Sequence, residues 1–565
     1  MRTVGQGPGY TQGCALGRTR ACLALCALAF VMTLPALCGV WGMVGDAAVH
    51  LRWQAQFAPL VWRGEPFPRW LPTMNGAMGS PSFFYYPPLL QWGGALFLPI
   101  LPDPTQAPQR LVLSVWLIAS LGAVGCFGWL RAHRLEARLA ALGAAVFVLW
   151  PYRAFFDFYQ RAALAELAGI SLMPWLLMFA TWLRDRRRGG FAGYALSVGT
   201  ILYCHVPSAL IGLLLSSAWL AIAAWPRDAR LLARGVGASL VGLMIGAPCV
   251  ATALGLLGLL HTPEFSERNN PLNWLLFSGR PWVDPAMYQM TIVLVLLGTG
   301  LGVLLYVPVA RATASKHRRE AAILLGACIL VAVLNTEASR WFWRLQTPLS
   351  RIQFPFRLFG VQTIVLAGLV AIAATEIAKR KPRSAWLLWG LIPALLLVDL
   401  GLVGVQALRQ ASKDLPGIAE ILAEPGDSSE YVLGPYLGLP GPIDGAILRG
   451  AGEVRSYRLG YRNVRMIVDA RSPVVVALHQ FSFTGWSCRT DGGPWIEPAH
   501  SPRPSAMATC TVPEGRHRVE ARLEATGLER AAWLAAMAGL VLVIAGLVLG
   551  RRHGARHRWD RATLA

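Results

Sequence analysis

Charge is scarce in this 565-residue sequence: 15% of its residues are Asp, Glu, Lys or Arg, whereas 55% are hydrophobic. A water-soluble domain of that length needs no such apolar surplus, so the soluble globular class is excluded, and the mean hydropathy is positive. Acids are scarcer still, 30 against 52 Lys and Arg. Cys-x-x-Cys pairs and other metal-ligand spacings are missing, which argues against structural zinc. Internal repeats are missing too, and low complexity is confined to the first 20 residues, which argues against a repeat array.

What the sequence has in abundance is apolar runs. About 20 such residues cross a hydrocarbon core roughly 30 Å thick, and twelve segments are placed as spans: 21–43, 109–130, 139–153, 163–183, 191–204, 208–225, 231–260, 288–310, 320–335, 356–377, 385–406 and 531–550. The apolar stretch 88–101 is short and bracketed by Pro87, Pro88, Pro99 and Pro102, so it is expected to be interfacial or re-entrant. Charge supports that choice, because Lys and Arg collect in short cytoplasmic loops. With both termini cytoplasmic, segments 1–20, 131–138, 184–190, 226–234, 311–319, 378–384 and 551–565 hold 26 Lys and Arg against Glu136, Asp185, Asp228 and Asp560. That difference equals the whole formal net charge of +22. The basic balance therefore reflects topology and anionic headgroups, and no nucleic-acid partner is expected.

The expected class is an all-α polytopic membrane protein of about twelve transmembrane helices with a small extracytoplasmic β-rich domain. Residues 1–20 are a cytoplasmic tail, 21–406 the multi-span domain with a long first outer loop at 44–87, 407–530 the β-rich domain, 531–550 the last span and 551–565 a basic tail. The first span is too long for a cleaved signal peptide and is expected to stay as an anchor. Residues 407–530 carry 14 Lys and Arg and 14 Asp and Glu, and their later half alternates apolar and polar residues, with Asp491-Gly492-Gly493 a hairpin turn. Eight of the ten cysteines lie in or near spans. Cys488 and Cys510 lie in the outer domain, where a disulfide suits an oxidising compartment and free thiols are the alternative.

The loop after the first span opens with "GDAAVHLRW", Gly45 to Trp53. Two accounts of Asp46 stand open. It can cap a helix through to Pro59 by accepting free amide hydrogens, or, partly desolvated at the lipid boundary, it can serve as a general base. His50 is four residues on and shares its face, so it could orient the carboxylate or touch substrate. Trp62, Trp70, Phe83, Phe84, Tyr85 and Tyr86 suit an interfacial aromatic belt.

An acid directly after the first span, the motif G-x-x-x-P-R-W at 64–70, "FFYYPPLL", "YQRAALAELAGISLMPW" at 159–175 and "RIQFPFRLFG" at 351–360 together resemble the polytopic bacterial proteins grouped as 6-pyruvoyl-tetrahydropterin-synthase-related. That group is similar in architecture to C-type (GT-C) membrane glycosyltransferases, and "FSFTGWSCRTDGG" at 481–493 resembles a terminal β-domain of related membrane proteins. The resemblance implies a GT-C-like fold in a bacterial cytoplasmic membrane, a polyprenyl-phosphate sugar donor and membrane lipid as partners, and a glycan, lipid or protein acceptor. It implies Asp46 as catalytic base or metal-associated acid, and a second acidic site in "YRAFFDFYQRAALAE", with Asp157, Arg161 and Glu166 as candidates. No cofactor is assigned. A divalent metal stays an option, although the adjacent Asp-x-Asp pair is absent.

Each candidate has a structural alternative. Glu166 suits the first turn of a helix, Arg161 could pair with it, and Asp157 could be a solvated loop residue. Arg351 and Arg357 lie outside, where the positive-inside rule does not place them, and a guanidinium fork fits phosphate oxygens, with snorkelling as the alternative. His205, in "LYCHVPSAL", is either a turn residue or a substrate contact. A lipid or polysaccharide transporter and a non-catalytic assembly protein remain alternatives to the transferase.

Overall fold

The computed structural model describes residues 8–41, 45–226, 228–260, 270–279, 284–312, 315–345, 347–412, 416–424, 426–428, 431, 447–500 and 507–562. Among the described residues thirteen long helices dominate: α1 (Pro8–Leu37), α2 (Ala47–Trp62), α3 (Ala107–Ala132), α4 (Ala137–Leu149), α5 (Leu164–Arg184), α6 (Gly190–Leu202), α7 (Val206–Ala224), α8 (Ala229–Leu256), α9 (Pro285–Ala310), α10 (Arg318–Leu334), α11 (Phe359–Arg380), α12 (Leu391–Ala411) and α13 (Gly527–Ala562). Among the described residues, ten helical stretches are long and apolar enough to cross a membrane. The protein is a multi-pass membrane protein.

Two of the twelve expected spans fall short of that length. α6 has 13 residues and α10 has 17, which at 1.5 Å per residue reach only about 20 and 25 Å, against a core of roughly 30 Å. The first helix ends at Leu37, with Pro35 in its last turn, well before residue 43. The stretch 88–101 contains only the two-turn helix Leu89–Ala95, tied down by the Ser114 hydroxyl donating to Leu90 O at 2.9 Å.

The core of the bundle is α3, α4, α5 and α11, whose contact surfaces are lined with small residues. Gly143 on α4 faces the Ala367 carbonyl of α11 so closely that a Cβ would stand 2.5 Å from it, which is how helices pack tightly where lipid supplies no hydrophobic drive. The basic connections meet at one end: Arg380 donates to the Arg311 carbonyl at 2.8 Å, His133 contacts Glu320 at 3.1 Å, and Arg186 lies 3.7 Å from Asp228.

At the opposite end sits a β-sandwich. Strands β1 (Ile447–Arg449), β2 (Gly452–Leu459), β3 (Asn463–Ala470), β4 (Val474–Phe481), β5 (Trp486–Thr490), β6 (Ala499–His500), β7 (Met507–Val512) and β8 (Gly515–Leu523) form two antiparallel four-stranded sheets, ordered β1-β4-β7-β6 and β2-β3-β8-β5. A disulfide from Cys488 on β5 to Cys510 on β7 joins the sheets, with Cα atoms 6.5 Å apart. The turn after β5 uses positive φ at Asp491 and Gly492, as an Asp-Gly hairpin turn requires.

The first loop is the cement between bundle and sandwich. Trp70 is fully buried and donates its indole N–H to Gln480 Oε1 at 2.8 Å. Gly79, at φ +81°, leaves room for that ring. Beside it the Arg69 guanidinium, 3% exposed, donates to Thr252 and Pro248 O on α8 and lies 3.7 Å from Glu529 on α13. Trp70, Phe83 and Phe84 are therefore packed inside the protein instead of forming an interfacial belt, whereas Trp62 is 57% exposed, as a belt residue would be.

Candidate functional site

Two sharp turns create the site. Gly45 adopts φ +55°, and a Cβ there would lie 1.9 Å from the Arg161 carbonyl oxygen. The next amide, Asp46 N–H, donates to that same oxygen at 3.0 Å. Only glycine permits this approach. α2 then starts at Ala47, but the Asp46 side chain makes no capping hydrogen bond. The cap account of Asp46 is thereby set aside, and its exposed carboxylate faces a large cavity.

The opposing turn follows a π-helix, Tyr152–Gln160, where a solvated loop was expected. Its wider winding, a feature that often accompanies functional sites, turns Asp157 inward until it is wholly buried. Asp157 Oδ1 accepts from Arg161 Nη1 at 2.8 Å, and Asp157 Oδ2 is buried with no partner. Asp157 therefore lies behind the cavity wall, not in solvent.

Glu166, at the start of α5, is the hub. Its Oε1 accepts the Tyr152 hydroxyl at 2.6 Å, and its Oε2 accepts from Arg161 at 3.2 Å and from Arg357 Nε at 3.0 Å. A carboxylate so fully engaged is a counter-ion that aims two guanidinium groups. This is the position taken by Glu166, a candidate for the second acidic site. Arg357 is also braced by Ile352 O at 2.8 Å, and Arg161 packs 4.9 Å from the Phe356 ring centre. Burial works against the Arg161 charge, but Glu166, Asp157 and Asp46 outweigh it and hold its pKa above the ordinary value.

The cavity has a volume of about 2200 Å³. Asp46, Arg161, Glu166, His205, Arg351 and Arg357 all line it, so it gathers six of the eight candidate residues. Asp157 and His50 are not among its lining residues. His50 is 1% exposed, packed edge-on against Trp53 and Tyr86, with Gln91 Nε2 3.4 Å from Nδ1. Burial pushes its imidazole down to about 3. It supports α2 from behind and does not reach a substrate in the cavity. His205 bonds Ser208 at 2.8 Å, and burial with the nearby Arg357 pushes it down to about 3, so it is neutral at pH 7.

From this polar end the cavity continues as an aliphatic groove lined by Leu254 of α8, Val293, Leu297 and Leu304 of α9, and Val398 and Val405 of α12. Leu304 is 70% exposed and Val398 48% exposed, so the groove opens sideways between α9 and α12. Among the described residues no three His, Cys, Asp or Glu side chains gather as a metal-ligand set, and Asp157 and Glu166 are engaged by arginines.

Three contributors lay beyond sequence reasoning. Tyr152 had no signal separating it from a belt tyrosine. Asp427, in the linker before the sandwich, accepts from the Ser80 and Ser82 hydroxyls and from the Trp53 indole at 2.8 Å, which pins the linker to the first loop. The polar last turns of α12, with Gln406 and Arg409, also line the cavity.

No protein-family model matches the chain, and no curated protein matches it in sequence. Among solved structures it is similar to the arabinofuranosyltransferase AftD from Mycobacteria, at 15% identity and a TM-score of 0.44, over 69% of this chain and 27% of that one. The chain thus spans about a quarter of the length of that protein.

Proposed function

We propose that the chain is a GT-C-type membrane glycosyltransferase that moves a sugar from a polyprenyl-phosphate donor to a hydroxyl acceptor on the outer face of a bacterial cytoplasmic membrane. The observation that carries this reading is the form of the cavity. A laterally open aliphatic groove suits a prenyl tail, and it leads to Arg357 and Arg161, which suit a phosphate, and on to Asp46. Headgroup, tail and base are all provided for in one continuous space.

In this mechanism the Asp46 carboxylate takes the acceptor hydroxyl proton, and the freed oxygen attacks the anomeric carbon of the donor sugar. The bond from that carbon to the phosphate oxygen breaks, and the phosphate leaves with the electron pair. Arg357, with Arg161 beside it, holds the charge that develops there. A single displacement inverts the anomeric centre. Glu166 and Tyr152 aim the arginines, and the sandwich, joined to the first loop through Trp70, offers a surface for the acceptor. The placement of basic connections at the far end of the bundle supports a cytoplasmic location for that end and for both termini.

The test is transfer from a labelled polyprenyl-phosphate sugar by the purified, reconstituted protein. Transfer is expected from the wild type and none from Asp46→Asn. Translocation of the lipid without transfer would establish the transporter alternative, and neither activity would favour an assembly protein.

A further inference from the structure

The cavity holds more positive charge than one lipid phosphate uses. Its four arginines are Arg161, Arg351, Arg357 and Arg409. Arg161 and Arg357 are matched by Glu166 and Asp157. Among the described residues, the guanidinium groups of Arg351 and Arg409 have no acid or hydrogen-bond partner. The other lining acids are committed elsewhere: Asp284 caps α9 by accepting the Ala286 and Met287 amides, and Asp46 stands at the reacting end.

α12 is registered on the site by Gln406, whose Nε2 donates to the Tyr159 carbonyl at 2.5 Å, two residues before Arg161. Arg409 is one turn further on, on the face that also presents Val405 and Gln406 to the cavity. Arg351 and Arg409 are both exposed, so their guanidinium forks are open to an anion entering the cavity and can grip it at two points.

We infer that Arg409, with Arg351, forms a second anion-binding subsite of this cavity, separate from the phosphate position at Arg357. It recognises a further anionic group on the substrates. Two sources carry that chemistry: a second phosphate on a diphosphate-linked donor, or an acidic group on the acceptor glycan. The inference rests on the donor-binding reading above.

The test uses the full chain in lipid nanodiscs and two probe pairs. One pair is decaprenyl monophosphate and decaprenyl diphosphate; the other is maltotriose and trigalacturonate. The wild type is expected to prefer the more anionic member of one pair by about tenfold, equivalent to ~1.4 kcal/mol. Arg409→Gln brings that ratio close to one and leaves the less anionic member's affinity unchanged, and Arg351→Gln lowers the ratio in the same direction. Discrimination within the first pair assigns the subsite to the donor, and within the second pair to the acceptor. A ratio that survives in Arg409→Gln, or a wild type that discriminates neither pair, overturns the proposal. Failure of the donor reading has a different signature: Arg357→Gln would leave decaprenyl monophosphate affinity at the wild-type value.

Discussion

Arg357 Nε lies 3.0 Å from Glu166 Oε2 across 191 positions of sequence. That contact joins the turn before α11 to the first turn of α5, and Arg161 shares the same oxygen. One carboxylate therefore sets the position of both cations that line the head of the cavity.

Glu166→Gln is expected to lower stability and activity together. Removing one partner from a buried ion pair leaves charge uncompensated and costs on the order of 3–5 kcal/mol. Thermal unfolding in detergent, read beside a transfer assay, checks it. Unchanged unfolding would show that Arg161 and Arg357 are held without Glu166.

Asp46→Asn should behave in the opposite way. Its carboxylate makes no capping bond, so α2 keeps its start, and Asp157 and Glu166 still pair with Arg161; abundance and unfolding temperature stay close to the wild-type value. Loss of a general base lowers transfer by roughly 10²–10⁴. Full transfer activity in this variant would sink the base assignment.

Gly45→Ala tests the turn itself. The added methyl would meet the Arg161 carbonyl at 1.9 Å on a backbone with φ +55°, and strain of about 1–3 kcal/mol is expected from the backbone alone. The Asp46 to Arg161 amide contact opens, and transfer falls even though every ionisable residue is intact. Wild-type rates would show that the close approach is dispensable.

Trp70→Ala should loosen the sandwich from the bundle. Emptying a buried tryptophan site costs roughly 3–5 kcal/mol, and Gln480 Oε1 loses its donor. Limited proteolysis reports the change, with faster cleavage in the linker before the sandwich. An unaltered cleavage pattern would assign domain docking to Arg69 instead, whose backbone amide donates to the Tyr461 hydroxyl of the sandwich at 2.9 Å.

Stability should fall on the acid side because of His50. Burial pushes its imidazole down to about 3 in the fold, while the unfolded chain takes up a proton near 6.5. The unfolded state then binds more protons between those values, so its contribution is complete above about 6.5 and declines as pH falls toward 3. His50→Gln should flatten the slope of unfolding temperature between pH 6.5 and 4. An unchanged slope would show that His50 is protonated in the fold.

The membrane class was legible because long apolar runs have few other uses, and the separate β-rich unit because the period-two alternation of Val519, Ala521, Leu523 and Ala525 in "RVEARLEA" does not form a helix face. The short helices α6 and α10 were less legible, since hydropathy marks an apolar run but not where its winding stops. Gly45 and Asp46 stood out by their place after the first span. Tyr152 and Asp427 did not, because a hydroxyl or carboxylate becomes informative only when its distant partner is known.

The amino-acid order alone determined that the chain crosses a bilayer many times and which connections collect basic residues, since both follow from the local cost of burying charge in hydrocarbon; that ten of the twelve apolar runs wind into helices of spanning length came from the structure. Only the tertiary structure decided that Glu166 holds arginines in place, that His50 stands behind the wall, and that Arg409 faces the same space as Arg357. Those roles depend on which side chains from separate helices face one another, a matter of packing that no spacing within one segment encodes.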